Sequence, residues 1–202
     1  LVDPGPPRAL IEALRSLQRR SLISQTTHGF VLQNVVTEYL TDYLIDRVYQ
    51  EISDFGTSIA AHGAPSLQPT TLNRFPLLKA TAKEYVRTSQ ERSIMQPLIK
   101  QLQAKVGQRG LVERINQLIA SLRTSTPLMP GYAAGNLLNL LLLLNIDLRG
   151  YDFSQLNVWQ ANLQMMQLPE VNFRGANLAH SCFNHLFGEI FAVQFDTDGQ
   201  LV

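Results

Sequence analysis

Apolar residues near the start of the chain recur with helical spacing. The apolar residues are Leu10, Ile11, Leu14, Leu17 and Leu22, and charged residues at other positions are Arg8, Glu12, Arg15, Arg19 and Arg20. This alternation of an apolar and a charged face predicts an amphipathic helix after the proline-rich start.

Two short apolar runs follow, Leu22-Ile23 and Phe30-Val31-Leu32, separated by a polar stretch that ends in Gly29. Such a pattern predicts a β-hairpin. An apolar stripe from Val35 to Ile52 predicts another helix, with Asn34 as its N-cap. Helix, hairpin and helix in this order are typical of the C-terminal part of a winged-helix module, which we assign to residues 1–52.

The middle of the chain predicts a linker and then helices. Residues 53–73 are rich in glycine, proline and small polar residues, which predicts a linker. Residues 74–130 carry helical stripes, with a new helix starting at Pro97 and a break at Gly107 and Gly110, so we expect a helical bundle. Residues 131–146 are apolar on all sides, which predicts a buried capping helix.

A five-residue period begins at Leu148. A helix repeats every 3.6 residues and a strand every two, so neither explains a strict five. A backbone that turns a corner every five residues points one large side chain inward per face and closes a square coil in about twenty residues, about 4.8 Å from the next. The predicted inward residues, which form the repeat core, are Leu148, Phe153, Val158, Leu163, Leu168, Phe173, Leu178 and Phe183.

This pattern resembles the pentapeptide-repeat family, with A-N-L cores at 161–163 and 176–178. The resemblance implies a short right-handed quadrilateral β-helix of about two coils over residues 147–187. Stacked coils expose their ends and need caps, and the apolar helix suits one end. The fold class is therefore α+β with several modules: a winged-helix end, a helical bundle and a capped β-helix.

The last residues resemble the opening of a WD-repeat blade. Ile190, Val193 and Phe195 match its first strand, and Asp198-Gly199 followed by Leu201 match its turn and the start of the next strand. One incomplete blade cannot close a propeller. We assign residues 188–202 to the start of a WD-repeat blade that the chain does not complete.

Charge and chemistry narrow the function classes. The net charge is +1, with +5 over residues 1–130 and −4 over 131–202, and this balance disfavours a general nucleic-acid binder.

The chain shows neither a signal peptide nor a membrane-spanning run, and its single cysteine favours a reducing, cytoplasmic location. His180, Cys182 and His185 suggest a metal site, but the five-residue pattern puts Cys182 on the coil wall. We therefore predict no metal site. We also predict no catalytic residues. Trp159 directly follows the inward Val158, and we predict that it is an exposed contact residue.

Four phrases carry a wider resemblance: LQRRSLI at 17–23, GFVLQNVVTEYLT at 29–41, GYAAGNLLNLL at 131–141 and GYDFSQLNVWQANL at 150–163. They resemble the segment between the NTPase module and the WD-repeat propeller of cyanobacterial NB-ARC/NACHT-like (STAND) signalling NTPases. The resemblance implies ATP or ADP bound by an upstream P-loop module. This chain lacks the G-x-x-x-x-G-K-S/T motif, so we expect no cofactor in it.

The resemblance also implies a nucleotide-sensing residue. Related NTPases carry Met-His-Asp where this chain has Leu32-Gln33-Asn34. Gln33 can donate a hydrogen bond to phosphate but carries no charge, so nucleotide sensing and a helix-start role both stay open.

The function predicted from the sequence is that of a non-catalytic connector. It would couple a nucleotide switch to a WD-repeat sensor through protein–protein contacts, and we expect no membrane among its partners. The alternative is a nucleic-acid-binding winged-helix protein, in which Arg15, Arg19 and Arg20 would contact phosphates. A solvent-exposed face explains these arginines better. It also explains Lys79, Lys83, Arg87 and Arg92 better than a phosphate-binding face does.

Overall fold

A computed structural model describes residues 7–27, 29–62, 70–164, 166 and 168–183. The N-terminal part contains helix α1 (Pro7–Arg19), strands β1 (Ile23–Thr26) and β2 (Gly29–Leu32), and helix α2 (Asn34–His62). The strands pair antiparallel, with Ile23 opposite Leu32. The order helix, hairpin, helix is the one that the apolar pattern predicts.

Helix α2 is longer than the sequence indicates, and this corrects the linker assigned to residues 53–73. Residues 53–62 are helical, because Ile52 and Phe55 are buried and extend the apolar stripe by another turn. The other end of the predicted linker is also packed. It forms the short helix α3 (Thr71–Arg74), whose first N–H groups, those of Thr71 and Leu72, donate to the Glu51 carboxylate at 2.6 and 2.9 Å.

The middle of the chain forms one helical run with a single sharp break. Helix α4 (Glu84–Gln90) continues through a π-helical turn (Glu91–Met95) into α5 (Gln96–Ser125). Pro97 lies at the start of α5, directly after the π-helical turn, and the helical run continues through it rather than beginning there as predicted. Gly107 breaks α5 with a φ of 72°, whereas Gly110 stays inside the helix.

Helix α6 (Ala133–Leu143) falls within the range 131–146 that the sequence assigns to a capping helix, and it is buried along most of its length. Helix α2 packs on α5, and α5 packs on α6. Their side chains and those of the following residues form a continuous hydrophobic core. The helices and the five-residue repeat therefore share one core.

Residues 147–183, here called the repeat segment, are joined by isolated parallel bridges. These bridges pair Asp152 with Asn172, Asn157 with Asn177, and Asn162 with Cys182, and each spans 20 residues. The N–H of Val158 donates to the carbonyl of Asn177 at 2.8 Å. The chain therefore returns alongside itself after four five-residue units. We call residues 148–164 the leading turn and the described residues from 168 to 183 the trailing turn.

Left-handed residues recur every five positions, starting two residues before this segment and continuing through it. Glycine adopts a positive φ without strain, whereas other residues do so at a cost. Residue 165, which would continue the series, lies outside the described residues. The residues with positive φ are Asn145, Gly150, Gln155, Gln160, Glu170, Gly175 and His180, all between 53° and 77°.

Isolated bridges rather than continuous strands join the repeats, so the quadrilateral β-helix stays a prediction, as does its handedness. The predicted blade start at 188–202 lies outside the described residues, as do the last residues of the predicted repeat range, 184–187.

Candidate functional site: the junction between the helices and the repeat

Helix α6 contacts the leading turn through a buried asparagine. The amide nitrogen of Asn139 donates to the carbonyl of Gln160, and its amide oxygen accepts from the N–H of Asn162, both at 2.9 Å. A neighbouring strand would satisfy the same kind of backbone groups. Asn139 therefore ends the hydrogen-bonding edge of the repeat segment, and this explains a polar residue within an apolar run.

A glycine brings α6 close to the leading turn. A Cβ on Gly135 would overlap the backbone carbonyl of Trp159, so this close approach requires glycine. The Trp159 ring packs edge-on against Tyr132, with ring centroids 5.8 Å apart. Trp159 is half-buried. This corrects the prediction of an exposed contact residue: the ring belongs to the junction.

Helix α5 and the turn after it contact two more sides of the leading turn. Leu128 donates its N–H to the carbonyl of Gln155 at 2.9 Å and accepts from the side chain of Asn157 at 2.7 Å. The Arg123 guanidinium lies 2.6 Å from a carboxylate oxygen of Asp152. Hydrogen bonds with Ser154, and secondly the charge of Arg123, lower the pKa of the Asp152 carboxyl.

The helical region also bonds to Gln164, the last residue of the leading turn, and to the trailing turn. Arg87 donates to the Gln164 side chain at 2.8 Å and to the Ala82 carbonyl at 2.6 Å. The Cys182 thiol donates to the carbonyl of Ala80, with the sulfur 3.0 Å from the oxygen. Arg87 is thus half-buried rather than part of a solvent-exposed face, whereas Lys79, Lys83 and Arg92 are exposed.

Burial of the predicted repeat core falls from the leading to the trailing turn. The first four residues, Leu148, Phe153, Val158 and Leu163, are buried. Leu168, Phe173 and Leu178 are half-buried, and Phe183 is 49% exposed. Phe153 and Phe173 stack with centroids 5.6 Å apart, so residues 20 apart touch inside the segment.

Gln33, the candidate nucleotide sensor, lies between β2 and α2 on the exposed side of the hairpin. Its side-chain nitrogen donates to Ser24 Oγ at 2.7 Å, and its carbonyl accepts from the N–H of Thr37 at 2.9 Å. Gln33 rather than Asn34 is therefore the N-cap position of α2. The Gln33 side chain is neutral and already bonded to Ser24, so a role in sensing a nucleotide phosphate stays a prediction.

The described part of the chain contains no group of three or more His, Cys, Asp or Glu side chains that could hold a metal ion. His180 is exposed, and His185 lies outside the described residues. Within the described ranges, no helix is long and apolar enough to cross a membrane.

Sequence reasoning missed the buried asparagines that connect these elements. Asn136 accepts from the N–H of Leu77 at 2.8 Å and donates to the carbonyls of Leu72 and Phe75. Asn73 accepts from the N–H of Ala133 at 3.3 Å. The available signal was the three-residue spacing of Asn136 and Asn139 in an apolar helix, which puts both amides near one face.

No protein-family profile matches the chain, and no solved structure matches it. An uncharacterized WD repeat-containing protein of Nostoc sp. is 40% identical over 223 aligned residues, which cover 98% of this chain. The chain spans 17% of the length of that relative. It is thus similar to one segment of a much longer WD repeat-containing protein.

Proposed function

We propose that this chain is a non-catalytic connector within a longer signalling protein of the NB-ARC/NACHT-like type. It would join a nucleotide-switch module to a WD-repeat sensor through protein–protein contacts. The observation that carries this proposal is the similarity of almost the whole chain to a small part of a WD repeat-containing protein.

The junction supports a mechanical role. Asn139, Leu128 and Arg123 bond three successive stretches of the leading turn. Gly135 lets the backbone of α6 contact the backbone of this turn at Trp159. Because packed interiors are stiff, a force on the helices would move the repeat segment with them. The chain would therefore transmit a displacement rather than absorb it.

Two fold assignments belong to the same proposal. The bridges at 20-residue spacing and the left-handed residue at every fifth position support a pentapeptide-repeat β-helix. The hairpin between α1 and α2 supports the end of a winged-helix module. In this proposal the winged-helix part docks on the switch module and the repeat carries the propeller.

Hydrogen exchange in the full-length protein tests the connector. The full-length protein is compared with its Asn139→Leu variant, each with ADP and with a non-hydrolysable ATP analogue. We expect nucleotide exchange to alter protection in the repeat segment of the parent protein. The variant should bind nucleotide equally well but lose this distant change. Asn177→Ala, a change at an exposed asparagine of the trailing turn, is the matched control.

Two results would overturn the proposal. One is a full-length protein whose repeat segment shows the same protection with either nucleotide. The other is tight DNA binding by the 202-residue chain, with an affinity that falls steeply as salt rises. The second result would favour the nucleic-acid-binding alternative and direct attention to the exposed arginines of α1.

A further inference from the structure

A small cavity, here called the junction cavity, lies where the helices meet the end of the leading turn. Its volume is about 70 Å³, which is room for about two water-sized groups. Five of its lining side chains are apolar, among them Leu78, Met95 and Met166. The cavity reaches the surface, because Met166 is 43% exposed. It therefore offers an apolar wall that an alkyl chain can contact on its way in from solvent.

Two polar residues of the junction cavity have acceptor oxygens without partners. The amide oxygen of Asn162 is buried and accepts no hydrogen bond, whereas the same atom of Asn172 and of Asn177 accepts from a backbone N–H two residues further on. Within the described ranges, the carboxylate of the half-buried Glu91 makes neither an ion pair nor a hydrogen bond. The third polar residue, Asn139, already uses both of its amide atoms. The cavity thus offers three acceptor oxygens, two from the carboxylate and one from the amide.

Helix geometry places further negative charge at the junction cavity. Helix α6 ends at Leu143, which lines the cavity, and the C-terminal end of a helix carries a partial negative charge. Glu91 begins the π-helical turn, in which the N–H of Gln96 donates to the Glu91 carbonyl five residues earlier. Single π-helical turns of this kind are frequent at functional sites. The acceptors and the charge together favour a cation.

A primary ammonium group matches the junction cavity better than other cations do. Its three N–H donors equal the number of acceptor oxygens. A calcium ion takes about six to eight oxygen ligands, and a guanidinium carries more N–H donors than the cavity has acceptors. The apolar wall would also pack against an alkyl chain that ends in the ammonium.

We propose that the junction cavity binds a primary ammonium group carried on an alkyl chain. The ammonium would donate to the Glu91 carboxylate and to Asn162 Oδ1, while its chain would lie along Met95 and leave past Met166. Such a ligand would bond the π-helical turn to the leading turn across the end of α6. Its source is a free alkylamine or a lysine side chain of a protein. This site does not depend on the connector role, so either proposal can fail alone.

Amide chemical shifts of the 202-residue chain test the cavity directly. n-Butylammonium chloride is titrated at pH 7 and constant ionic strength, and n-butanol, which has the same chain but no charge, is the control. We expect butylammonium to shift the amides of Glu91, Leu143 and Asn162 with a dissociation constant of about 1–10 mM. Butanol should bind at least about tenfold more weakly, because it forms no charge-assisted bond. Equal binding of the two compounds, or no shift at these amides, would overturn the proposal.

Two pairs of variants separate binding from folding. Glu91→Gln removes the carboxylate from the cavity, while Glu84→Gln removes the same charge from an exposed position about two helical turns earlier. We expect the first to weaken butylammonium binding about tenfold and the second less than about twofold. Asn162→Asp should tighten binding about fivefold, a gain that misfolding cannot produce. Asn177→Asp, at the same position of the repeat, should leave it unchanged, and equal effects within either pair would overturn the proposal.

Further compounds identify the source of the ammonium. Nα-acetyl-lysine methylamide presents a lysine side chain between two neutral peptide groups. Tighter binding of this compound than of butylammonium would support a lysine of a protein, because the peptide groups add contacts. Equal or weaker binding would support a free alkylamine. Calcium chloride or methylguanidinium that shifts the same amides at a lower concentration than butylammonium would overturn the ammonium site.

Discussion

The two turns of the repeat segment carry the same five-residue pattern but differ in burial. In the leading turn, Phe153 is completely buried under the helices, whereas Phe183 in the trailing turn is 49% exposed. Both are phenylalanines at the same position of the repeat. The difference shows that the five-residue pattern alone does not decide how much apolar area leaves water, and that the layer packed on each turn matters as well.

The largest difference in unfolding free energy between the turns should come from replacing the two phenylalanines, Phe153 and Phe183. Phe153→Ala removes a fully buried ring and leaves a cavity, which costs about 3–5 kcal/mol of unfolding free energy. Phe183→Ala should cost less than about 1 kcal/mol, because half of its ring is already in water. Urea unfolding of both variants measures the difference. Equal losses would mean that the trailing turn is covered in solution.

The next contrast tests the junction. Asn139→Leu leaves the carbonyl of Gln160 and the N–H of Asn162 without their partner, so we expect a loss of about 2–4 kcal/mol. Asn177→Ala removes one local hydrogen bond to Ala179 and should cost about 1 kcal/mol or less. Thermal unfolding of the two variants compares the two asparagines. If Asn139→Leu left the thermal unfolding temperature unchanged, Asn139 would not be the residue that satisfies the backbone groups of Gln160 and Asn162.

The corners of the turns offer a smaller test. Gly150 has a φ of 77° and open space where a Cβ would stand, so Gly150→Ala tests backbone strain alone. We expect a loss of about 1–2 kcal/mol. Arg174→Ala, an exposed change one residue before the corner at Gly175, should stay within about 0.5 kcal/mol. If Gly150→Ala is equally neutral, the left-handed corner does not persist in solution.

The smallest expected effect is the pH dependence of the stability that the Asp152 carboxylate contributes. Because the pKa of this carboxyl is lowered in the folded chain, its stabilisation is present above the unfolded pKa of about 3.9. It is lost as the pH falls through the folded pKa. The parent chain should exceed Asp152→Asn in stability by less than about 1 kcal/mol at pH 7, since the Asp152 side chain is 38% exposed and water screens its charge. Urea midpoints at pH 7 and pH 2.5 measure whether this difference disappears in acid.

The sequence predicts those elements whose apolar residues recur with a clear period. Helix α1 and the five-residue spacing follow from such recurrence, and the hairpin follows from two apolar runs around a polar stretch that ends in Gly29. The continuation of α2 to His62 was hidden by glycine and small residues, although Ile52 and Phe55 kept the apolar spacing. Tertiary burial outweighed local composition there.

The junction was harder to predict because its contacts join residues far apart in sequence. Asn136 bonds to backbone groups around 60 residues away, and no local pattern encodes such a pairing. The corners were hidden for another reason: Gln155, Gln160, Glu170 and His180 are left-handed without being glycine. Their spacing of five was visible, but their residue types gave no hint of a turn.

The 20-residue return of the chain has a consequence for how such a protein can change length. Inserting 20 residues would add one layer of about 4.8 Å and leave the direction of the outgoing chain unchanged. Inserting five residues would instead turn the outgoing chain by about a quarter of a revolution. The repeat segment would therefore act as a stepped spacer, in which distance and orientation between neighbouring domains are altered separately.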